Sequence, residues 1–206
     1  MFALEKWVRR LGVLAGLAAI LVPVLSYHRT DRQPRGRKTR GAAPRLTWPK
    51  MAGATAVYIG GGLLLWRPIP LRLSKRQRLA SLLAGSLLYF PGVGLYLWGY
   101  TSLGRLFSPS SSRGAELYRD HQLVTTGPHA IVRHPMYLGV LLAAFGALLI
   151  FKTWAMIPYA LSSLVVVARA KREEQLLAEE FGEAWTRYCE RVPGWLPFRA
   201  FRDPNG

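Results

Sequence analysis

LASLLAGSLLYFPGVGLYLWGYTSL, residues Leu79–Leu103, is the stretch that decides the fold. It carries no charged residue along its whole length, and a bilayer-spanning helix needs roughly 20 mainly apolar residues. Phe90-Pro91-Gly92-Val93-Gly94 in its middle predicts a kink, or a place where another backbone comes close. Outward in both directions the same composition returns. Leu11–Leu25 and Met51–Trp66 precede it, and Tyr137–Phe151 and Trp154–Ala168 follow. These four reach spanning length once flanking Trp, Tyr and Arg sit in the membrane interfaces. Five such runs in 206 residues, half of them hydrophobic, predict an all-α, polytopic integral membrane protein with about five transmembrane helices. The alternative, a soluble bundle with long core helices, would have to bury all five.

The polar connectors carry the charge. Arg29–Lys50 holds eight basic residues and one acidic, and Arg67–Arg78 holds five basic residues. A net charge of +17 invites a nucleic-acid reading. Arg29–Lys50 nevertheless follows an apolar run directly and has no aromatic residues alternating with its charges, as a stacking platform would. It reads as a juxtamembrane cluster that sets orientation and meets anionic membrane lipids, and no nucleic-acid partner is expected. Met1–Arg10 with Leu11–Leu25 could serve as a secretory signal, but Pro23, Ser26 and Tyr27 make a poor cleavage site, so a first span or uncleaved anchor is expected. Gly60-Gly61-Gly62 in the second run would allow close helix approach. Cys189 is the one cysteine, and His28, His121, His129 and His134 form no i, i+4 pair; no metal site is expected.

Beyond Gly104 the character changes, which divides the chain into 1–103, spans with basic connectors, and 104–206, a functional core. Leu123–Gly139, LVTTGPHAIVRHPMYLG, packs two histidines, an arginine and a tyrosine between apolar segments. Pro135 fits the first position of a helix, whose N–H groups and dipole would then suit an anionic group beside Arg133 and His134. The last two runs are joined only by Lys152-Thr153, giving a helical hairpin over 135–168. That hairpin returns Arg169 and Glu173, four apart on one face of a charged helix over 169–191, to the membrane edge where Arg133, His134 and Tyr137 begin. With this edge cytoplasmic, most of the 28 Lys and Arg lie inside, although Arg67–Arg78 runs against the rule.

At this point the residues resemble a known family. His121-Gln122-Leu123-Val124, Thr126-Gly127-Pro128, Arg133-His134-Pro135-Met136-Tyr137, Gly139, Arg169, Glu173-Glu174, Phe181-Gly182, Tyr188, Arg191-Val192-Pro193 and Leu196-Pro197 are similar, in order and spacing, to the isoprenylcysteine carboxyl methyltransferases and phospholipid methyltransferases. The resemblance covers Gly104–Phe198. His129 stands where a tyrosine is usual, and Trp185 where another is common. The resemblance implies a membrane enzyme that binds S-adenosylmethionine on the cytoplasmic side, in a plasma membrane if bacterial or the endoplasmic reticulum if eukaryotic. It implies that His121, Gln122, Leu123, Val124, His129, His134, Pro135, Met136, Tyr137 and Glu173 line the cofactor pocket. Arg169 would hold the methyl acceptor, a lipophilic small molecule or lipidated substrate. A carboxylate acceptor is ionised at neutral pH and needs orientation rather than a general base, which a guanidinium fork provides.

Trp185–Pro193 also looks like the tail of sterol reductases, which share this scaffold but bind NADPH. The paired carboxylates Glu173 and Glu174 disfavour that reading, since a 2′-phosphate prefers arginine. A catalytically inactive membrane protein of the same fold is the third possibility.

Overall fold

The computed structural model describes residues 2–30, 53, 56–57, 60–103 and 123–197. Among them every regular element is helical, and one isolated antiparallel bridge links Pro68 to Thr153. The elements are α1 (Phe2–Thr30), α2 (Lys75–Leu103), a 3₁₀ turn (Gly127–Ala130), α3 (Pro135–Phe151), α4 (Met156–Ser163), α5 (Val165–Phe181) and α6 (Glu183–Arg191). The basic loop expected over 28–50 starts later, since α1 runs through Thr30; residues 31–50 and 104–122, with the polar segments expected there, lie outside the described residues.

Helix α2 realises the deciding stretch. Its start is a reciprocal cap: Ser74 N–H donates to Gln77 Oε1 at 2.9 Å, and Gln77 N–H donates to Ser74 Oγ at 3.3 Å. It runs unbroken through Pro91 and is the one described helix long and apolar enough to cross a membrane. Only 28% of its most apolar window is buried, and Leu83 and Leu87 stand well exposed. A soluble core helix of this composition would be mostly covered. Helix α3 is apolar but has 17 residues.

The chain divides into two compact units. The first draws on Met1–Val22, Leu46–Gly94 and Gly139–Val165. Within it α2 and α3 touch backbone to backbone. A β-carbon at Gly92 would lie 2.6 Å from Ala143 N, and one at Gly146 would lie 2.5 Å from Tyr89 N. Small residues Gly139, Ala143 and Gly146 on one helix and Gly85 and Gly92 on the other make this approach possible. Of the two expectations at Phe90–Gly94, close approach is the one realised. Gly60-Gly61-Gly62 is a correction: among the described residues, β-carbons there would meet nothing within 4 Å. The contact stripe lies in α3 instead. Tyr89 OH donates to Gly12 O at 2.7 Å and Ser81 Oγ to Leu149 O at 3.0 Å, tying α1 and α2 into the same unit.

Two further departures concern the C-terminal half. The fifth apolar run is interrupted at Leu164, between α4 and α5. Ser162 Oγ donates to Tyr159 O at 2.9 Å and Ser163 Oγ to Ala160 O at 2.6 Å. Those hydroxyls compete for helical carbonyls, and Leu164 N–H turns to Leu161 O and Ser162 O in a tighter loop. The charged tail expected as one helix over 169–191 is two, because Gly182 takes φ 48°, a left-handed conformation that glycine tolerates.

Candidate active site

The second unit, drawn from Pro23–Arg45, Leu95–Leu138 and Val166–Gly206, holds the polar cluster. Its apolar foundation is the face of α6 that presents Trp185, Tyr188 and Val192, spaced i, i+3, i+7. These bury against Leu123, Leu177, Phe181 and Cys189, each large side chain contributing roughly 1.5–3 kcal/mol. Burial pushes the Tyr188 hydroxyl up to about 12, so it stays a donor, and it bonds His129 O at 2.6 Å. Burial likewise raises the Cys189 thiol, which makes it a packing group rather than a nucleophile. His129 is 7% exposed. Burial, with the charge of His134 second, lowers it to about 4, so it is neutral at pH 7. Its Nδ1 is buried without a hydrogen-bond partner among the described residues.

Around this foundation Arg133 closes a clamp. Its Nε lies 3.0 Å from Glu174 Oε1 and its Nη2 3.0 Å from the same oxygen. Its Nη1 donates to Val192 O at 3.1 Å and Cys189 O at 3.4 Å. His134 Nε2 reaches Glu174 Oε1 at 2.8 Å, and the ring stacks on Tyr137 and leans on Trp195. Burial alone would raise the Glu174 carboxyl, but the hydrogen bonds and charges of His134 and Arg133 outweigh it and hold Glu174 below the usual carboxylate range. The backbone closes the same ring: Arg133 N–H donates to Pro193 O at 2.9 Å and His134 N–H to Gly194 O at 3.1 Å. The backbone donors of the two residues that precede α3 are thereby paired. The polar C-terminal segment satisfies them, because buried backbone donors need partners whether or not a ligand is present.

Beside the clamp runs a second chain of contacts. Arg169 Nε donates to Tyr137 OH at 2.8 Å, and Tyr137 OH donates to Glu173 Oε2 at 2.7 Å. The Arg169 guanidinium also sits over the Tyr137 ring, 5.9 Å from its centroid. One phenol thus fixes a cation and a carboxylate from successive turns of α5. Such a pair can take an anion on one side and a cation or hydroxyl on the other.

Residues 80–184, half of the chain, match the phospholipid methyltransferase family. The chain belongs to that family. It is 31% identical over 159 residues to protein-S-isoprenylcysteine O-methyltransferase B of Arabidopsis thaliana, an alignment covering 62% of this chain and 77% of the relative. It is 35% identical over 83 residues to the protein-S-isoprenylcysteine O-methyltransferase of Schizosaccharomyces pombe, covering 38% of this chain and 34% of the relative. A mouse delta(14)-sterol reductase is 37% identical over 75 residues, 35% of this chain and 18% of the reductase. The chain thus spans about a third or less of two of these three relatives. The resemblance to methyltransferases read from Gly104–Phe198 is borne out.

Within this phospholipid methyltransferase family member, Tyr137, Arg169 and Glu173 come together in one hydrogen-bonded chain. His134 lies in the clamp. Pro135 is fully buried at the start of α3, and Met136 packs where a β-carbon on Gly99 would stand, 2.6 Å from its Cγ. Leu123 joins the α6 cluster and Val124 follows it, while His121 and Gln122 lie outside the described residues. The sequence reading set Arg133 beside an anionic group and used Glu174 only as half of a pair that disfavours NADPH; the Arg133–Glu174 clamp and the contact of Trp195 with His134 were not anticipated. The doubled Glu173-Glu174 was the available signal, since adjacent helix positions point about 100° apart and so have different neighbours.

Proposed function

We propose that this protein is a membrane-embedded, S-adenosylmethionine-dependent methyltransferase that methylates a lipophilic carboxylate, of the isoprenylcysteine type, at the membrane interface. The observation that carries this reading is the Arg169–Tyr137–Glu173 chain. Family membership supports methyl transfer, and the residues present fit the methyl donor. The orphaned Nδ1 of a buried, neutral His129 suits an uncharged hydrogen-bonding ligand such as an adenosine edge. Glu173 suits a cationic or hydroxylated group. His129, Tyr137 and Glu173 would hold the donor, with Leu123 and Val124 beside them, and His134 would position Tyr137 by stacking.

When bound, S-adenosylmethionine supplies a methyl group on a positively charged sulfur. Arg169 binds and orients the acceptor carboxylate, which is already ionised at neutral pH. Tyr137 holds the guanidinium through Nε, so the acceptor meets a fixed rather than a mobile cation, and orientation is the main catalytic contribution required. No proton need move. In the same reading about five spans embed the chain, and the site opens to the cytoplasm, where the water-soluble donor is available.

Titration calorimetry of the detergent-purified protein with S-adenosylhomocysteine tests this. Saturable binding is expected, weakened about tenfold or more in Glu173→Ala. Arg169→Ala should keep that affinity and lose roughly a hundredfold in turnover of S-farnesylcysteine. Binding of NADPH with none of S-adenosylhomocysteine would move the protein to the reductases, and unchanged affinity in Glu173→Ala would remove that residue from the pocket.

A further inference from the structure

The first unit contains a built cationic recess that methyl transfer does not use. Lys6, Arg9, Arg78 and Lys152 line a cavity of about 300 Å³, with Glu5 as its one carboxylate among the described residues. Glu5 is committed to Arg9, 2.8 Å away. Lys152 Nζ is buried without a hydrogen-bond partner among the described residues. A buried ammonium without a hydrogen-bond partner is costly and suits an anionic ligand. Burial lowers its pKa, with nearby Glu5 opposing and Arg9 and Arg78 reinforcing the effect.

The backbone holds this lysine in place. Lys152 has φ 52°, the one described non-glycine residue in the left-handed region, a conformation that is unfavourable for a side chain with a β-carbon. Ile69 N–H donates to Lys152 O at 2.8 Å, Trp154 N–H to Arg67 O at 3.0 Å, and Ala155 N–H to Leu65 O at 2.9 Å. The 65–69 connector is thereby bonded to the turn after α3. Strain retained by surrounding bonds is common where a ligand is held.

Next to the recess lies a second cavity of about 560 Å³ that shares Arg9 and Phe151 with it and is lined by Val13, Leu14 and Trp66. A cationic recess that shares Arg9 and Phe151 with an apolar groove fits an amphiphile, with a phosphate among the cations and an acyl chain along the groove. We propose that the first unit binds an anionic phospholipid here, its phosphate between Arg9, Arg78 and Lys152. This gives a role to part of the Arg67–Arg78 connector, whose charge runs against the positive-inside count. The inference does not depend on the methyl-transfer reading.

The test is calorimetry of the full-length, detergent-purified protein with dihexanoyl phosphatidylglycerol, dihexanoyl phosphatidylcholine and inorganic phosphate, each separately. Phosphatidylglycerol should bind saturably, and Lys152→Gln and Arg78→Gln should each weaken it about tenfold. Melting temperature serves as the fold check, so the result stands whether or not S-adenosylhomocysteine binds. Inorganic phosphate binding as tightly as the lipid would overturn the lipid assignment in favour of a free anion. Equal affinity for phosphatidylcholine, or affinity unchanged in both well-folded variants, would overturn the role of the cations.

Discussion

Glu173 and Glu174 are neighbours on α5 with opposite situations. One oxygen of Glu174 takes Arg133 Nε, Arg133 Nη2 and His134 Nε2, all within 3.0 Å. Glu173 meets the single hydroxyl of Tyr137 among the described residues. The difference comes from helix geometry, which turns one carboxylate toward the 192–195 segment and the other toward the first turn of α3. A carboxylate with one oxygen tied to a half-buried arginine and a buried histidine has less to offer a ligand, whereas one held by a single phenol can exchange partners. Under the proposed function the clamp is architecture and the Tyr137 chain is chemistry, although both are built from conspicuous polar residues.

The strongest way to break this comparison is Arg133→Ala. It leaves Glu174 with His134 alone and the Val192 and Cys189 carbonyls without the Arg133 donor. Since Arg133 and Glu174 are partly exposed, the loss should be about 3 kcal/mol, toward the low end for a broken buried pair. Thermal unfolding and hydrogen exchange over residues 183–195 would register it. A variant as stable as wild type that had lost S-adenosylhomocysteine binding would instead make Arg133 a ligand residue. Tyr137→Phe sharpens the other side. It keeps the ring under Arg169 and removes the hydroxyl that bridges Arg169 and Glu173, so stability should change little while kcat/KM falls roughly tenfold. A full stability loss without a kinetic one would place Tyr137 with the clamp.

Much of this was legible in the sequence, for reasons particular to each element. The α2 span announced itself by length and composition, and the Arg133–Tyr137 and Arg169–Glu173 motifs by their spacing across a hairpin. Direction and saturation were not legible. Nothing in Arg133-His134-Pro135 tells that Pro193 and Gly194 carbonyls, sixty residues downstream, take the backbone donors; that depends on how the chain after α6 folds back. Nor could three consecutive glycines reveal that the backbone contact stripe would be Gly139, Ala143 and Gly146, because small size permits close packing without specifying a partner. The break at Leu164 was hidden for a related reason: Ser162 and Ser163 pass as tolerable helix residues until their hydroxyls choose a carbonyl.

His129 belongs to both regions and gives the subtlest test. Tyr188 fixes its carbonyl to the clamp side, while its Nδ1 is the orphan assigned to the ligand side. Its pKa is held at about 4, against 6.5 for the unperturbed ring, chiefly by burial. Between those values the unfolded chain binds a proton that the folded chain does not. Stability should therefore be complete above pH 6.5 and decline as pH falls toward 4, by at most about 1.4 kcal/mol per unit. Glu174, depressed below its ordinary 4.5, begins to give up its contribution only below that value, so between pH 6.5 and 4.5 the slope belongs to His129 rather than Glu174. Melting temperatures from pH 7 to 4 should slope downward in the wild type and flatten in His129→Gln. The slope should persist in Tyr188→Phe, which loses one hydrogen bond, about 1 kcal/mol, but leaves the ring buried. If His129→Gln keeps the wild-type slope, the ring takes up its proton in the folded state as readily as in water. A neutral, ligand-facing Nδ1 would then be untenable, and His129 would pass to the clamp.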